Sequence, residues 1–261
     1  QKKAVELINN GDKTLFLIGY AGTGKSTSSR AILELLEETM SYDDIMTIAL
    51  SGIASQRISD TTGYNSSTIQ SLLMKHKEKD FFPYKAILLD EASMVNSVTF
   101  YQIISKIADD TIFIIVGDDG QLPAIGAGNV LADAIKYELA PICKLTKIYR
   151  QNENQAIAVI ANDIRKGEVP AYKEEYEDFK FIDVSISNYY ALKNSASSNE
   201  FADLRGENSE YILNNILNIS AGYIEKYYEY IKKKKISKAL TLFQVITPMK
   251  AGILGVDNLN I

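Results

Sequence analysis

Short continuous apolar runs punctuate the chain at residues 14–18 (TLFLI), 45–50 (IMTIAL), 86–89 (AILL) and 112–116 (IFIIV), with a later one at 242–247 (LFQVIT). Most end in small or acidic residues. None alternates polar with apolar, and a strand covered on both faces has no need to, so these runs predict central strands of a parallel sheet. Helical spacing fills the gaps, as in 28–38 (SSRAILELLEE), which makes the fold class α/β with helices on both faces of the sheet. Residues 154–166 predict an amphipathic helix, with Ile157, Ile160, Ala161 and Ile164 on one side. Beyond 171 the character changes. A strand is possible at 179–184, and the polar stretch SASSNEFADLRGENSE reads as a surface insertion or flexible link. Helical spacing returns over 211–235, with Ile212, Ile216, Tyr223, Tyr227 and Ile231 on one side. There is no internal repeat. The expected division is a first domain at 1–143 and a second at 144–261, the latter carrying a polar and helical insertion at about 185–240.

A length of 261 residues accommodates two such units, and 46% apolar with 23% charged residues excludes disordered and fibrous classes. The balance of 28 basic against 33 acidic residues gives a net charge of −5, so a nucleic-acid partner would have to be met by a local surface. The run Lys232–Lys235 is open to two readings, a nucleic-acid patch or a solvated helix C-terminus that complements the helix dipole; the second is preferred. One cysteine, Cys143, and one histidine, His76, exclude an internal disulfide, a cysteine-cluster zinc site and a multi-histidine metal site. No apolar run approaches the roughly 18–20 residues that span a bilayer, and the N-terminus does not lead into a signal-peptide stretch. No membrane partner and a cytoplasmic location are expected.

The sequence Gly19-Tyr20-Ala21-Gly22-Thr23-Gly24-Lys25-Ser26 fits the P-loop pattern in full, following a strand and opening a helix. Glycines there let backbone N–H groups face a triphosphate, and the helix N-terminus adds partial positive charge. The candidate nucleotide-binding residues are Gly22, Thr23, Gly24, Lys25, Ser26 and Thr27. Lys25 would reach the β- and γ-phosphates of ATP, and Ser26 would ligate Mg²⁺. A coincidental Gly-rich turn is the competing reading, and the strand–loop–helix context argues against it. Downstream, Leu88-Leu89-Asp90-Glu91 puts two carboxylates at the end of an apolar run. Asp90 is the candidate Mg²⁺ partner and Glu91 the group that orients and deprotonates an attacking water. An exposed turn would explain the pair equally well without the P-loop upstream. Gln121, within GDDGQLP (117–123), carries an amide that can bond the γ-phosphate or the water; taken alone, it reads as a polar turn residue before a proline.

In order, the motifs are GYAGTGKS (19–26), ALSGIAS (49–55), STIQSLL (67–73), LLDEASMV (88–95), GDDGQLPAIGAGNVLADAI (117–135), LTKIYRQNENQAI (145–157) and QVITPMKAGILGVDNLN (244–260). That order resembles the RecD-like superfamily 1 DNA helicases, which translocate 5′ to 3′ on single strands. The resemblance implies two RecA-like domains with ATP at their interface. It implies that Gln1 reads the adenine edge and that Arg150 reaches across to the γ-phosphate, where a guanidinium neutralises the transferring group. By itself Arg150 reads as a salt-bridge residue. The same resemblance puts single-stranded DNA contacts at Ser51, Gly52, Thr68, Thr247, Pro248 and Lys250, largely to the backbone. Ile53 and Gln70 stand where the family usually has a basic residue and a histidine. The nine residues 74–82 (MKHKEKDFF) leave room for at most a small hairpin where the family places a strand-separating pin. The family's later motifs are absent, so a fragment of a longer motor is expected. The implied activity is that of a monomeric, ATP- and Mg²⁺-dependent helicase or translocase of DNA repair or recombination. The alternatives are the helicase module of a conjugative relaxase, a superfamily 1 RNA helicase, or an ATP-gated nucleic-acid-binding switch.

Overall fold

The computed structural model describes residues 2–20, 22–146, 156–170, 179, 198–235, 238–239, 242, 245–247, 250–252 and 254–259. Six strands form one sheet: β1 (Thr14–Gly19), β2 (Ile45–Ala49), β3 (Ser66–Thr68), β4 (Ala86–Leu89), β5 (Ile112–Gly117) and β6 (Ile142–Leu145). Their order is β3-β2-β4-β5-β1-β6, and every pairing is parallel.

The continuity of the apolar runs has a direct cause. Side chains alternate across a strand, and here both faces are covered. Phe16, Ile18, Met46, Ile48, Ile87, Leu89, Phe113 and Ile115 point to one core. That core is closed by α4 (Ile69–Lys75), α5 (Ser97–Ile104) and α6 (Val130–Lys136) through Ile69, Leu72, Ile103, Leu131 and Ala134. Leu15, Leu17, Ile45, Ala86, Leu88, Ile114 and Val116 point to the other. There α1 (Lys2–Asn9), α2 (Lys25–Glu37) and α3 (Gly52–Thr62) supply Ala4, Ile32, Leu33, Leu36 and Ile58. The expected α/β sheet with helices on both faces is borne out.

Several elements differ from the sequence expectation. β3 is short and polar, so no apolar run announces it; it is held by backbone pairing with β2, Thr47 opposite Ser66. β6 belongs to the first sheet, with Phe16 opposite Ile142, whereas its run was expected to begin the second domain. Compactness divides the chain into Gln1–Phe179 and Lys180–Ile261. The expected division at 143/144 falls inside the first unit, because β6 hydrogen-bonds β1 and α7 (Ala156–Lys166) sends Arg165 onto Asp118. Residues 74–82 form no strand: α4 ends at Lys75, and the following turns are tied down by the Lys106 ammonium, which donates to the carbonyls of His76 and Lys79 at 3.1 and 2.5 Å.

In the second unit, α8 (Ser198–Lys232) is 35 residues long and includes most of the polar stretch read as an insertion or link. Glu200, Ala202, Leu204 and Arg205 are strong helix formers, and their intrinsic preference outweighs the single Gly206. The helix expected over 211–235 therefore starts earlier. Of the run 242–247, Leu242 and Val245–Thr247 are described and lie in no strand. Of the possible strand at 179–184 only Phe179 is described, also outside any strand. A short α9 (Val256–Leu259) follows.

Candidate nucleotide site

The P-loop leaves β1 at Gly19 and enters α2 at Lys25, and two glycines make the turn possible. Gly22 and Gly24 have φ of 80° and 86°, a left-handed conformation that disfavours a Cβ. Thr23 is buried and donates its hydroxyl to the Tyr20 carbonyl at 2.7 Å, closing the loop on itself. Gly19 has no room for a side chain between Thr23 and Leu145 of β6. Lys25 donates to the carbonyls of Gly19 at 2.7 Å and Tyr20 at 3.2 Å, and lies 3.9 Å from Asp118. Burial holds its pKa below the ordinary lysine value, opposed by the nearby charges of Asp118, Glu91 and Asp90.

Asp90 and Glu91 follow β4 directly, at the C-terminal edge of the sheet where ligands of open α/β folds bind. Desolvation, reinforced by the neighbouring Glu91 charge, pushes the Asp90 carboxyl above the usual range. Glu91 is in the left-handed region (φ 53°, ψ 42°) as it starts the 3₁₀ turn Ala92–Met94. Its Oε2 is buried without a hydrogen-bond partner among the described residues. A left-handed non-glycine backbone and an unsatisfied buried oxygen are both uncommon in a residue that serves packing alone. Gln121, beyond β5, accepts a hydrogen bond from the Ser93 hydroxyl at 3.2 Å.

These groups meet in one cavity of about 310 Å³. Gly22, Gly24, Lys25, Ser26 and Thr27 line one side, and Asp90, Glu91 and Gln121 line another. Thr23 stays behind the loop. Tyr20 and Arg57 complete the wall. The sequence analysis did not single out either one: Arg57 is a polar position on α3 with no motif around it. Arg165, which packs on Tyr20, was also missed, because the end of an amphipathic helix ordinarily carries solvated cations.

The other candidates are elsewhere. Ser51 and Thr68 cap the N-termini of α3 and α4, their hydroxyls accepting from Ala54 N at 3.2 Å and Ser71 N at 3.1 Å. Because β2 pairs with β3, both lie at the same sheet edge, with Gly52 exposed beside Ser51. In the second unit, Thr247 donates to the Leu254 carbonyl at 2.6 Å, and Lys250 is exposed. Gln1, Arg150 and Pro248 lie outside the described residues. Among the described residues no helix is long and apolar enough to cross a membrane, and no group of three or more His, Cys, Asp or Glu forms a metal cluster.

The profile of the AAA domain family matches residues 1–185. The chain belongs to that family. This AAA-domain chain is 30% identical to the ATP-dependent RecD2 DNA helicase of Deinococcus radiodurans, over 63% of its own length and 23% of the relative's. It is 24% identical to the RecBCD enzyme subunit RecD of Buchnera aphidicola subsp. Acyrthosiphon pisum, over 98% of its own length and 49% of that protein. A solved structure of Pif1 helicases at forked duplex DNA is similar at 23% identity and a TM-score of 0.47, over 65% of this chain and 48% of that one. The AAA-domain chain thus spans about a quarter of the first of these curated relatives and about half of the second. The RecD-like resemblance read from the motif order is borne out by the RecD2 and RecD relatives.

Proposed function

We propose that this chain is the nucleotide-hydrolysing part of a RecD-like DNA helicase that moves 5′ to 3′ on single-stranded DNA in repair or recombination. The observation that carries the reading is the single cavity shared by Lys25, Ser26, Asp90, Glu91 and Gln121, with Glu91 Oε2 buried and unpartnered among the described residues. In this reading the P-loop amides and Lys25 bind the phosphates, Gln1 holds the adenine, and Arg150 completes the charge around the γ-phosphate. Glu91 receives the proton of the attacking water, and Gln121, anchored by Ser93, orients that water or senses the γ-phosphate.

A divalent cation fits this donor set. Ser26 and Asp90 offer hard oxygen ligands in one cavity, and magnesium characteristically takes few protein ligands beside water and phosphate. Asp90, desolvated beside a second carboxylate, is the acid whose ionised form a cation would favour. When bound, Mg²⁺ would neutralise charge on the phosphates. Single-stranded DNA would run along the edge bearing Ser51, Gly52 and Thr68; Thr247, Pro248 and Lys250 are the DNA contacts proposed for the second unit taken by itself.

Calorimetry with MgADP and steady-state ATPase with and without single-stranded DNA test the proposal. The chain is expected to bind nucleotide, Lys25→Ala to lose most of that affinity, and DNA to stimulate turnover. Equal nucleotide affinity in the parent and Lys25→Ala would remove the phosphate site from the proposal.

A further inference from the structure

Behind the P-loop lies a group of charges that the hydrolysis mechanism above does not use. Asp118 follows β5 and is 1% exposed. Its oxygens are each 3.2 Å from one terminal nitrogen of Arg165, and its Oδ1 also accepts the Gly120 N–H at 3.0 Å. Among the described residues the other cation in reach is Lys25, at 3.9 Å from Oδ2. Arg165 is itself fixed: its guanidinium carbon stands 3.9 Å from the centre of the Tyr20 ring, and Gly120 packs so closely against it that any side chain at 120 would collide. Tyr20 is the second residue of the P-loop. A planar guanidinium can stack on a ring while its edge serves a carboxylate, which an ammonium cannot do equally well.

In this arrangement Lys25 is turned toward Gly19, Tyr20 and Asp118. To serve a nucleotide it must move toward the phosphates. A buried carboxylate that loses its cation is strongly disfavoured, so Lys25 can leave only if another cation stays with Asp118. We propose that Arg165 is the standing counter-ion of Asp118, a positioning residue that releases Lys25 from Asp118 to the phosphates of a bound nucleotide. The inference rests on the nucleotide-site reading above and adds the means by which the P-loop lysine is made available. It also ties α7 to the P-loop, through Tyr20 on one side and Asp118 on the other.

The test is a double-mutant cycle on binding of a fluorescent ADP analogue with Mg²⁺ to the whole chain. Arg165→Ala is expected to weaken binding by about tenfold where Asp118 is present, the scale of losing one charged hydrogen bond. With Asp118→Asn there is no charge to hold Lys25 back, and the same Arg165→Ala change is expected to alter affinity by less than about twofold. Arg165→Lys, which keeps the charge but not the stacking plane, is expected to fall between parent and Arg165→Ala. A structural role alone would give neither the suppression by Asp118→Asn nor the rescue by lysine. Should Arg165→Ala fail to fold in a thermal melt, Arg165→Lys in the two backgrounds makes the same comparison. Equal losses in both backgrounds, or no loss at all, overturn the counter-ion role while parent binding upholds the nucleotide site. A parent chain that binds no nucleotide overturns both.

Discussion

Glu91 bears two destabilising features at once, a left-handed backbone and a buried oxygen without a partner among the described residues. Changing it to glutamine preserves shape and volume but removes the proton acceptor. Glu91→Gln should therefore bind MgATP with parent affinity and hydrolyse it slower by at least about 10²-fold, the lower range for loss of a general base. Rapid-quench turnover beside equilibrium binding checks this, and a loss confined to affinity would remove Glu91 from the chemistry. His76 poses a different question at the same scale. Its ring is buried at the edges of Phe82 and Tyr84, and neither nitrogen has a partner among the described residues. Desolvation, then the charges of Lys79, Lys75 and Lys106, hold its pKa below the ordinary 6.5. The unfolded chain takes up the proton that the folded chain refuses, so the stability tied to this neutral ring is present above pH 6.5 and is lost as pH falls below it. Melting temperatures from about pH 7 to about pH 5 should fall less steeply in His76→Phe than in the parent. Parallel profiles would sink the assignment. The motif residues were legible because their chemistry restricts residue type and spacing. The strain at Glu91 was not, since nothing about a glutamate announces positive φ, and Arg57 and Arg165 reach the site only through the third dimension.

Among elements, those buried on both faces were the readable ones. β1, β2, β4 and β5 each present an apolar run because helices cover both sides, interrupted within β2 only by the buried Thr47, whose hydroxyl donates to the Asn65 carbonyl. β3 is made of Ser66, Ser67 and Thr68, whose side chains carry no such signal. The start of α8 was hidden by polar composition, which describes solvent exposure better than backbone conformation. Helix caps supply a prediction at this scale. Thr68 accepts the Ser71 N–H at the start of α4, so Thr68→Ala should cost about 1 kcal/mol of stability. Thr68→Ser should restore most of it. Denaturant melts without DNA separate this cap from any role in DNA contact, and an unchanged midpoint in Thr68→Ala would rule the cap out as a stabilising element.

For the molecule as a whole, a net charge of −5 limits how the proposed DNA partner could be held. On that proposal binding would come from a small number of local contacts to the phosphodiester backbone, so it should weaken steeply with salt and vary little with sequence. Lys250→Ala should reduce affinity by a similar factor on unrelated single strands and lower the salt slope by about one. A loss on one sequence only would make Lys250 a base reader instead.

The strand order has a consequence in time. β1 holds the P-loop, yet its partners are made long afterwards: Thr14 pairs with Phe113, and Phe16 with Ile142. A ribosome adding about 5–20 residues per second needs on the order of ten seconds to supply them. During that interval TLFLI is an apolar segment with neither edge paired and only the face toward α1 and α2 able to be covered, and closing such distant pairings is intrinsically slow. The strand that carries the P-loop is therefore completed only once β5 and β6 have been made, and until then its open edges need shielding from other nascent chains.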